Sequence, residues 1–175
     1  AGKRPQGQGP QGHGRRGHAG KCRGWNRTEY NNSSMVDSES RETGYMPYEV
    51  TRRFEAALCE YTGAPFAVAL NSCSAALLLS VQWAAEWPPY GLDGIELPRR
   101  TYVSVASVVK LAGYEIRWRD EDWSGAYQLK PLPVWDCARR FTSGMYVAGQ
   151  FQCVSFSTTK ILGIGMGKYV LFSGG

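Results

Sequence analysis

The segment from Gln152 to Gly167 contains the residue types whose possible chemistry is easiest to name. Its start, Cys153 to Phe156, is a short run of apolar and β-branched residues, which predicts a buried strand. Three small hydroxyl residues follow, and Lys160 comes next, before a glycine-rich turn. A lysine at the end of a buried strand keeps a mostly apolar neighbourhood, which favours the neutral amine that Schiff-base chemistry requires. Ser155 and the hydroxyls nearby are suited to bind an anion at the same place.

Two other interpretations of this segment are open. A single lysine after a strand is most often a solvated loop residue. The run from Gly163 to Lys168 partly matches a phosphate-binding P-loop. It lacks the motif's first glycine, which is Leu162 here, and Tyr169 stands where Ser or Thr should hold magnesium. The lysine hypothesis therefore depends on what the rest of the chain brings to the same place.

Strand-like and helix-like patterns alternate through most of the chain. Helical spacing of apolar residues predicts a helix over 48–61 that Gly63 caps, and a second, apolar helix over 102–111 that Gly113 ends. A further helix begins around Ser74. Short apolar runs predict strands at 66–70, 94–98, 115–119, 132–136, 151–156 and 168–172. This alternation predicts an α/β fold with a mostly parallel sheet flanked by helices.

Four polar or aromatic residues follow predicted strands at or just beyond their ends: Ser74, Tyr102, Asp136 and Lys160. Ligands of parallel α/β sheets bind at the carboxyl ends of the strands, so we expect these residues to lie close together. A helix that begins with Ser74 and Ala75 would offer free backbone N–H groups to a phosphate. The alternative is that a serine there only caps the helix.

Asp136 follows the apolar run Leu-Pro-Val-Trp and is predicted to be partly buried, where an unpaired charge is costly. Two kinds of partner are open. One is an ion pair with Arg139 or Arg140, which would be structural. The other is the protonated ring nitrogen of pyridoxal phosphate, which needs an acid to stay charged and act as an electron sink.

The amino-terminal segment differs in composition from all that follows. Residues 1–28 are rich in Gly, Gln and Pro and carry seven positive charges before the first acid, Glu29. The chain as a whole is only +5, so the remainder is +5 − 7 = −2. We predict a disordered basic arm and linker over 1–44 and one domain over 45–175. The arm is suited to acidic surfaces or nucleic acid, or serves as a solubilising extension. Its His13, His18 and Cys22 lie among glycines, so we predict no metal site.

Composition sets the broad class of the protein. With 175 residues and 43% hydrophobic content, the chain can form one domain with a substantial core. Five cysteines without framework spacing suit reduced thiols in a cytoplasmic compartment. No apolar run is long enough to span a membrane, and we identify no secretory signal. We therefore expect a cytoplasmic protein without a membrane partner.

Five segments, taken in order, resemble the DegT/StrS family. This family comprises pyridoxal-phosphate-dependent aminotransferases of fold type I that act on keto sugars attached to nucleotides. The resemblance extends from about Tyr45 to Leu171. The segments are Val50-Thr-Arg-Arg-Phe-Glu-Ala-Ala-Leu58, Ala67-Val-Ala-Leu-Asn-Ser-Cys-Ser-Ala-Ala-Leu77, Leu97-Pro-Arg-Arg-Thr-Tyr102, Trp135-Asp-Cys-Ala-Arg139 and Val154-Ser-Phe-Ser-Thr-Thr-Lys-Ile-Leu-Gly163.

The resemblance implies a role for each matching residue. Lys160 resembles the lysine that forms the internal aldimine with pyridoxal 5'-phosphate and later moves the proton. Asp136 resembles the acid that pairs with the ring nitrogen, Ala138 the small residue beneath the ring and Tyr102 the aromatic stacked on its other face. The backbone at Ser74 and Ala75 and the hydroxyl of Ser155 resemble the phosphate site. The implied reaction moves an amino group, usually from glutamate, to a nucleotide-linked keto sugar, in a homodimer.

The chain also departs from the family pattern. The family usually has Gln near the ring hydroxyl of the cofactor, where this sequence has Arg139. Between the strands at 115–119 and 132–136 the family usually has another helix and strand, and it continues past the lysine into a small second domain. We therefore expect a large domain that lacks one βα unit and the small domain. The alternative function is an inactive aminotransferase-like scaffold that serves assembly; a weaker one is nucleic-acid association through the arm.

Overall fold

The computed structural model describes residues 48–86 and 91–161, together with the backbone of 168–172. Three helices lie in these ranges: α1 (Glu49–Thr62), α2 (Cys73–Glu86) and α3 (Val103–Leu111). The strands are β1 (Phe66–Leu70), β2 (Gly94–Pro98), β3 (Glu115–Arg119), β4 (Tyr127–Leu129), β5 (Val134–Asp136), β6 (Phe151–Ser155) and β7 (Lys168–Phe172). The predicted arm and linker over 1–44 lie outside the described residues, as does the glycine-rich turn at 162–167.

Helix α1 ends where its sequence predicts. Gly63 follows the last helical residue with φ of 78°, a left-handed conformation that glycine adopts without a steric penalty. Its N–H donates to the carbonyl of Cys59 and so satisfies one of the last free carbonyls of the helix. The helix buries Leu58, Cys59 and Thr62 and leads directly into β1.

The strands form a mixed arrangement, so the predicted mostly parallel sheet needs correction. The larger sheet has the order β1-β7-β6-β5-β4, and the smaller one pairs β2 with β3. Only β5 with β6 and β2 with β3 pair in parallel; the other three pairs, β1 with β7, β6 with β7 and β4 with β5, are antiparallel. The reason lies partly in chain length. Residues 130–133 join β4 to β5, and so short a connection permits only an antiparallel neighbour.

Strands β4 and β7 run opposite to the other strands, but the other strands still end at one common edge. Because β7 is antiparallel to both of its neighbours, β1 and β6 run in the same direction, and β5 runs with them. An antiparallel bridge between Glu96 and Lys130 joins β2 to the end of β4. Strands β2 and β3 therefore share the direction of β5. Strands β1, β2, β3, β5 and β6 therefore end at one edge. The segments that follow β1, β2, β5 and β6 meet there.

The core consists of two groups of buried side chains. The larger packs the inner faces of α2 and α3 against β2, β4, β5 and β6, and includes Leu77, Val81, Ile95, Leu97, Val109 and Leu129. The smaller joins the end of α1 to the loop after β5 and includes Leu58, Cys137, Met145 and Phe156. In the latter, the Phe156 ring meets Phe54 and Phe141 edge-on at centroid distances of 5.7 and 5.0 Å. The two groups lie along β6 and fix the segments on either side of it.

None of the helices in the described ranges is both long enough and apolar enough to cross a membrane. Four of the five cysteines are described: Cys59, Cys73, Cys137 and Cys153. All of these carry free thiols, and three are buried.

Candidate active site

A cavity of about 180 Å³ opens at the edge where the parallel strands end. Its walls come from the segments after β1, β2, β5 and β6, which are far apart in sequence. Six of the residues predicted to form a site line it: Ser74, Tyr102, Asp136, Ala138, Ser155 and Lys160. The predicted convergence of these segments is therefore observed, although their chemical roles stay predictions.

The start of α2 forms one wall, and its capping differs from the prediction. Ser72 caps the helix: its side-chain oxygen accepts a hydrogen bond from the Ala75 N–H at 3.0 Å, and its carbonyl accepts one from the Ala76 N–H. The Ala75 N–H is therefore already used, and the prediction that it is free for a phosphate is wrong. The alternative prediction, that a serine caps this helix, is correct, but the capping residue is Ser72 rather than Ser74.

Ser74 instead connects two helix starts. Its hydroxyl donates to the hydroxyl of Ser104 at 2.8 Å, which lies in the first turn of α3. Ser104 also lines the cavity. Sequence reasoning missed this residue, because nothing in the Tyr102–Leu111 pattern distinguishes it from an ordinary first-turn serine. The positive ends of two helix dipoles and two hydroxyls thus face one wall, an arrangement suited to an anion.

Tyr102 stands at the entrance. It precedes α3 in an extended conformation, makes no side-chain cap and is 71% exposed. An exposed aromatic ring beside a cavity keeps its face available for stacking on a ligand. Val103 next to it is also 71% exposed, so the rim on this side is apolar.

Asp136 is the most deeply held polar group of the cavity, with 6% of its surface exposed. Its Oδ2 accepts a hydrogen bond from the Tyr127 hydroxyl at 2.7 Å, and its Oδ1 accepts one from the Ala138 N–H at 2.9 Å. Burial raises the pKa of Asp136, against the opposing effects of these two donors and of the positive charge of Lys160. Among the ion pairs of the described residues, none joins Asp136 to Arg139 or Arg140, so the structural partner considered from sequence is wrong.

Tyr127 is the functional-site neighbour that the sequence did not reveal. It lies on β4 directly opposite Asp136 in the register of β4 with β5 and is 2% exposed. Its hydroxyl also contacts the hydroxyl of Thr101, the residue before Tyr102. Burial raises the pKa of Tyr127, and the negative charge of Asp136 raises it further. The phenol therefore keeps its proton. The three-residue alternation Tyr-Gln-Leu is too short to predict a strand, which is why it was missed.

Ser155 and Lys160 belong to the segment that closes the cavity. Ser155 is the last residue of β6 and is 7% exposed. Lys160 lies beyond the strand in a turn, where its N–H donates to the carbonyl of Ser157 at 2.8 Å. The side chain is half-buried, and among the described residues it forms no ion pair or side-chain hydrogen bond. The ammonium is thus held less firmly than the carboxylate it faces.

Arg139 does not line this cavity. It is exposed and lines a neighbouring cavity of about 450 Å³, together with Arg100 and Trp123. The prediction that Arg139 contacts the cofactor ring is therefore not supported by its position. The turn after β5 directs Ala138 toward the first cavity, and Arg139 follows it on the outside. Tyr127 contacts one lining residue of each cavity: its ring packs on Trp123 at 4.6 Å, and its hydroxyl donates to Asp136.

The cysteines near Asp136 lack the properties of nucleophiles. Burial raises the pKa of Cys137 to about 12, and the Asp136 charge contributes in the same direction. The fully buried Cys153 also has a raised pKa, mainly through desolvation. A thiol that stays protonated is a weak nucleophile. Cys137 and Cys153 are therefore not candidates for a nucleophile at this edge.

Comparison with known proteins gives a family match for part of the chain. The model of the DegT/DnrJ/EryC1/StrS aminotransferase family matches residues 27–133, more than half of the chain. The chain therefore belongs to the DegT/DnrJ/EryC1/StrS aminotransferase family. No match was found among the curated proteins or the solved structures. The family match begins before Tyr45, where we placed the start of the resemblance, and it ends before Asp136. The roles of Asp136, Ser155 and Lys160 consequently depend on position and chemistry in this structure.

Members of such aminotransferase families generally use pyridoxal phosphate, and the residues of the cavity fit that group. Asp136 is a buried carboxylate whose two oxygens each accept one hydrogen bond, and a carboxylate has further acceptor capacity. A buried carboxylate with a raised pKa is stabilised by a cationic N–H partner. The cavity also presents the Lys160 amine, the exposed Tyr102 ring and the hydroxyls of Ser74 and Ser155, which are groups of the kinds that can hold pyridoxal phosphate.

Proposed function

We propose that this protein is a pyridoxal-phosphate-dependent aminotransferase that transfers an amino group from glutamate to a keto sugar nucleotide. The observation that supports this most is the meeting of Lys160, Asp136, Ala138 and Tyr102 around one cavity at the carboxyl edge of the strands. Family membership supports amino-group transfer in general. The proposal includes the fold: a reduced large domain of fold type I, in which β4 occupies the place of a longer βα unit.

Each residue has a chemical task in this proposal. Lys160 would hold the cofactor through Nζ and would move a proton at the same atom. Asp136 stays ionised and accepts the ring N–H, and bound pyridoxal phosphate supplies the electron sink that amino-group transfer requires. Ala138 leaves room for a flat ring because its side chain is one methyl group. Tyr102 covers the opposite face, and the phosphate is bound by the Ser155 hydroxyl and by the Ser74–Ser104 hydroxyl pair, in which Ser104 keeps the free proton.

The neighbouring cavity supports an anionic substrate. Arg100 and Arg139 both line it, and its two acidic residues already have cationic partners: Asp122 pairs with Arg100 at 2.6 Å and Glu121 with Arg119 at 2.7 Å. Among the described residues Arg139 has no anionic partner, so it is the cation that remains available. Guanidinium groups bind phosphates and carboxylates in bidentate fashion. We therefore place the phosphates of the nucleotide sugar or the carboxylate of glutamate in this cavity.

We also propose that the protein acts as a homodimer. The rim of the first cavity presents Tyr102 and Val103, each 71% exposed, and an apolar rim of this kind suits contact with a second copy. A dimer would supply walls for a cavity that the single chain leaves open. Sedimentation at micromolar concentration tests this, and a stable monomer would contradict it.

An absorption spectrum of the purified protein with added pyridoxal phosphate tests the proposed chemistry. A cofactor attached to a lysine gives a band in the near-ultraviolet or visible range, and borohydride removes it. We expect the band to appear with the cofactor and to decline when glutamate is added, as the amino group moves to the cofactor. A protein that stays colourless with excess cofactor would exclude the proposal.

A second function, an inactive aminotransferase-like scaffold that serves assembly, is favoured by two observations. The cavity of about 180 Å³ is smaller than the roughly 300–1,000 Å³ typical of ligand pockets. The family match also ends at residue 133, before the acid and the lysine. A scaffold would self-associate yet show no cofactor band. Spectrum and sedimentation together therefore separate the two functions.

A further inference from the structure

We propose that Tyr127 is a positioning residue that holds the Asp136 carboxylate in one orientation and ties it to the loop that presents Tyr102. The inference rests on the proposed function, because it assigns Asp136 to the cofactor ring. It extends that function to a residue on β4, the short reversed strand that this chain has in place of the family's usual helix and strand.

The hydrogen bonds around Asp136 fix the plane of its carboxylate. Tyr127, on the neighbouring strand β4, donates to Oδ2 at 2.7 Å. The Ala138 N–H, in the turn after β5, donates to Oδ1 at 2.9 Å. Each oxygen therefore has one strong donor. Rotation about the bond to the carboxylate would break both hydrogen bonds together, so the group keeps one orientation.

The direction of the hydrogen bonds can be read from the number of protons. A phenol has one hydrogen, and Tyr127 gives it to Asp136, because an ionised carboxylate can only accept. In the contact between Tyr127 and Thr101, the Thr101 hydroxyl must therefore donate. The order is Thr101 to Tyr127 to Asp136. A chain of hydrogen bonds in a buried place strengthens each member.

The ring of Tyr127 is held as firmly as its hydroxyl. Trp123 packs on it at a centroid distance of 4.6 Å with an interplanar angle of 56°. The Trp123 indole N–H donates to the carbonyl of Arg100 at 3.0 Å, which fixes the tryptophan to the loop after β2. The strand register also places Tyr127 next to Asp136, because the two residues are paired directly between β4 and β5. Directly opposed residues share one face of a sheet.

The link reaches both sides of the candidate site. Thr101 immediately precedes Tyr102, the aromatic proposed to stack on the cofactor. Asp136 lies at the opposite side and is proposed to meet the ring nitrogen. The Tyr127 hydroxyl is hydrogen-bonded to both segments. It therefore sets the separation between the segment that carries the Tyr102 ring and the Asp136 carboxylate.

The other groups near Asp136 cannot replace Tyr127 as a donor. Lys160 approaches from the turn after β6, and its positive charge favours the ionised carboxylate without a hydrogen bond to it in the described residues. Cys137 follows the strand that Asp136 ends, Cys153 lies on β6 and Cys73 begins α2. Burial raises the pKa of the Cys137 and Cys153 thiols, and the charge of Asp136 adds to the rise; the two hydrogen bonds to the Asp136 carboxylate involve neither of these thiols. Among the described residues, Tyr127 is thus the side chain that donates to Asp136, and its donation opposes the rise in the pKa of that carboxyl.

Carbon-13 NMR of the aspartate carboxylates in the full chain, without cofactor, tests the hydrogen bond directly. Asp136→Asn identifies the resonance. In Tyr127→Phe we expect the pKa of Asp136 to rise by about one to two pH units, because a hydrogen bond to a charged group is lost. Tyr61→Phe is the matched control, since that ring stacks on Phe141 at 5.0 Å and Tyr61 is not one of the two donors to Asp136. A titration equal to that of the unmodified chain would overturn the proposal.

Two further measurements keep the outcome clear. Thr101→Val removes the donor to Tyr127 but keeps the ring packing, so we expect a smaller rise in the same direction even if Tyr127→Phe fails to fold. In the presence of pyridoxal phosphate, Tyr127→Phe should shift the pH dependence of the cofactor band and weaken binding about tenfold or more. A band unchanged by Tyr127→Phe would overturn the positioning role. A chain that gives no band at all overturns the proposed function, while the carboxylate titration still reports whether the hydrogen bond exists.

Discussion

Asp136 and Lys160 face the same cavity but are held in very different ways. Asp136 ends a strand, is 6% exposed and has a donor on each carboxylate oxygen. Lys160 lies in a turn, is half-buried, and is held by a backbone hydrogen bond to Ser157. The acid is preorganised by the sheet and by two hydrogen bonds, whereas the lysine side chain has no hydrogen bond among the described residues. This difference suits a reaction in which one group must stay fixed and the other must form and release a bond.

The largest expected effect comes from Lys160. Lys160→Ala should abolish the cofactor band, because Lys160 is the lysine that lines the cavity among the described residues. The melting temperature should hardly change, since a half-buried side chain in a turn contributes little packing. Lys110→Ala is the matched control: that lysine lies on α3 and pairs at the surface with Glu115 at 2.7 Å. A band that persists in Lys160→Ala would refute the assignment.

The next largest effect comes from the fixed partner. Asp136→Asn should leave the cofactor bound but lower the rate of amino-group transfer by orders of magnitude, because a neutral amide cannot keep the ring nitrogen protonated. Single-turnover kinetics with glutamate measure this step. If the rate is normal and only the melting temperature falls, Asp136 is structural.

The burial of Asp136 also predicts a dependence of stability on pH. Its folded-state pKa is raised above the ordinary 3.8, so its contribution is fully present below that value and is lost as the pH rises through the folded pKa. Asp136→Asn removes this loss. Relative to the unmodified chain, the variant should therefore gain stability between pH 4 and pH 7. Denaturant titrations at both pH values measure the difference, and a constant difference would contradict the raised pKa.

A smaller effect should follow from the residue just outside the acid. Arg139→Gln restores the residue that the family usually has near the cofactor, and it removes an exposed cation from the neighbouring cavity. We expect cofactor binding to change little and the affinity for the anionic substrate to fall, about tenfold, as one charged hydrogen-bonding partner is lost. Arg140→Gln, an exposed change beside it, serves as the control. Equal affinity in both variants would exclude Arg139 from the substrate site.

The smallest effect is expected from the amino-terminal segment, which is far from both residues in sequence. Deleting residues 1–28, which carry seven of the positive charges, should leave cofactor binding and self-association unchanged. The family match includes residues 27 and 28, so a second deletion of 1–26 is a useful comparison. Loss of cofactor binding in the shorter deletion would show that the basic arm takes part in the site.

Much of the fold was predictable because its signals are local. Strands 66–70, 94–98, 115–119 and 168–172 were predicted with the bounds observed, and Gly63 ends α1 as expected. Strand direction was not predictable in the same way, since it depends on which strands become neighbours. Strand β4 was not predicted, because three residues are too few for a periodic signal. It pairs antiparallel with β5 and places Tyr127 opposite Asp136.

The residues of the candidate site also fall into those that local sequence signals predicted and those that depend on contacts across the fold. Asp136, Ser74, Tyr102 and Lys160 were predicted because each follows a strand, and such positions meet at one edge when the strands run together. Arg139 was misplaced because its position in sequence does not say to which side of the turn it points. Ser72, Ser104 and Tyr127 act through hydrogen bonds across the fold, and those contacts cannot be read from one sequence.

The most direct test of the account is to find where the cofactor attaches. The full chain is incubated with pyridoxal phosphate, reduced with borohydride and digested with trypsin. We predict that the pyridoxyl group is found on Lys160, in a peptide that runs from Phe141 to Lys168 because trypsin no longer cleaves after the modified lysine. Labelling of Lys110 or Lys130 instead, or no labelled peptide, would contradict the claim that Asp136 and Lys160 form one cofactor site.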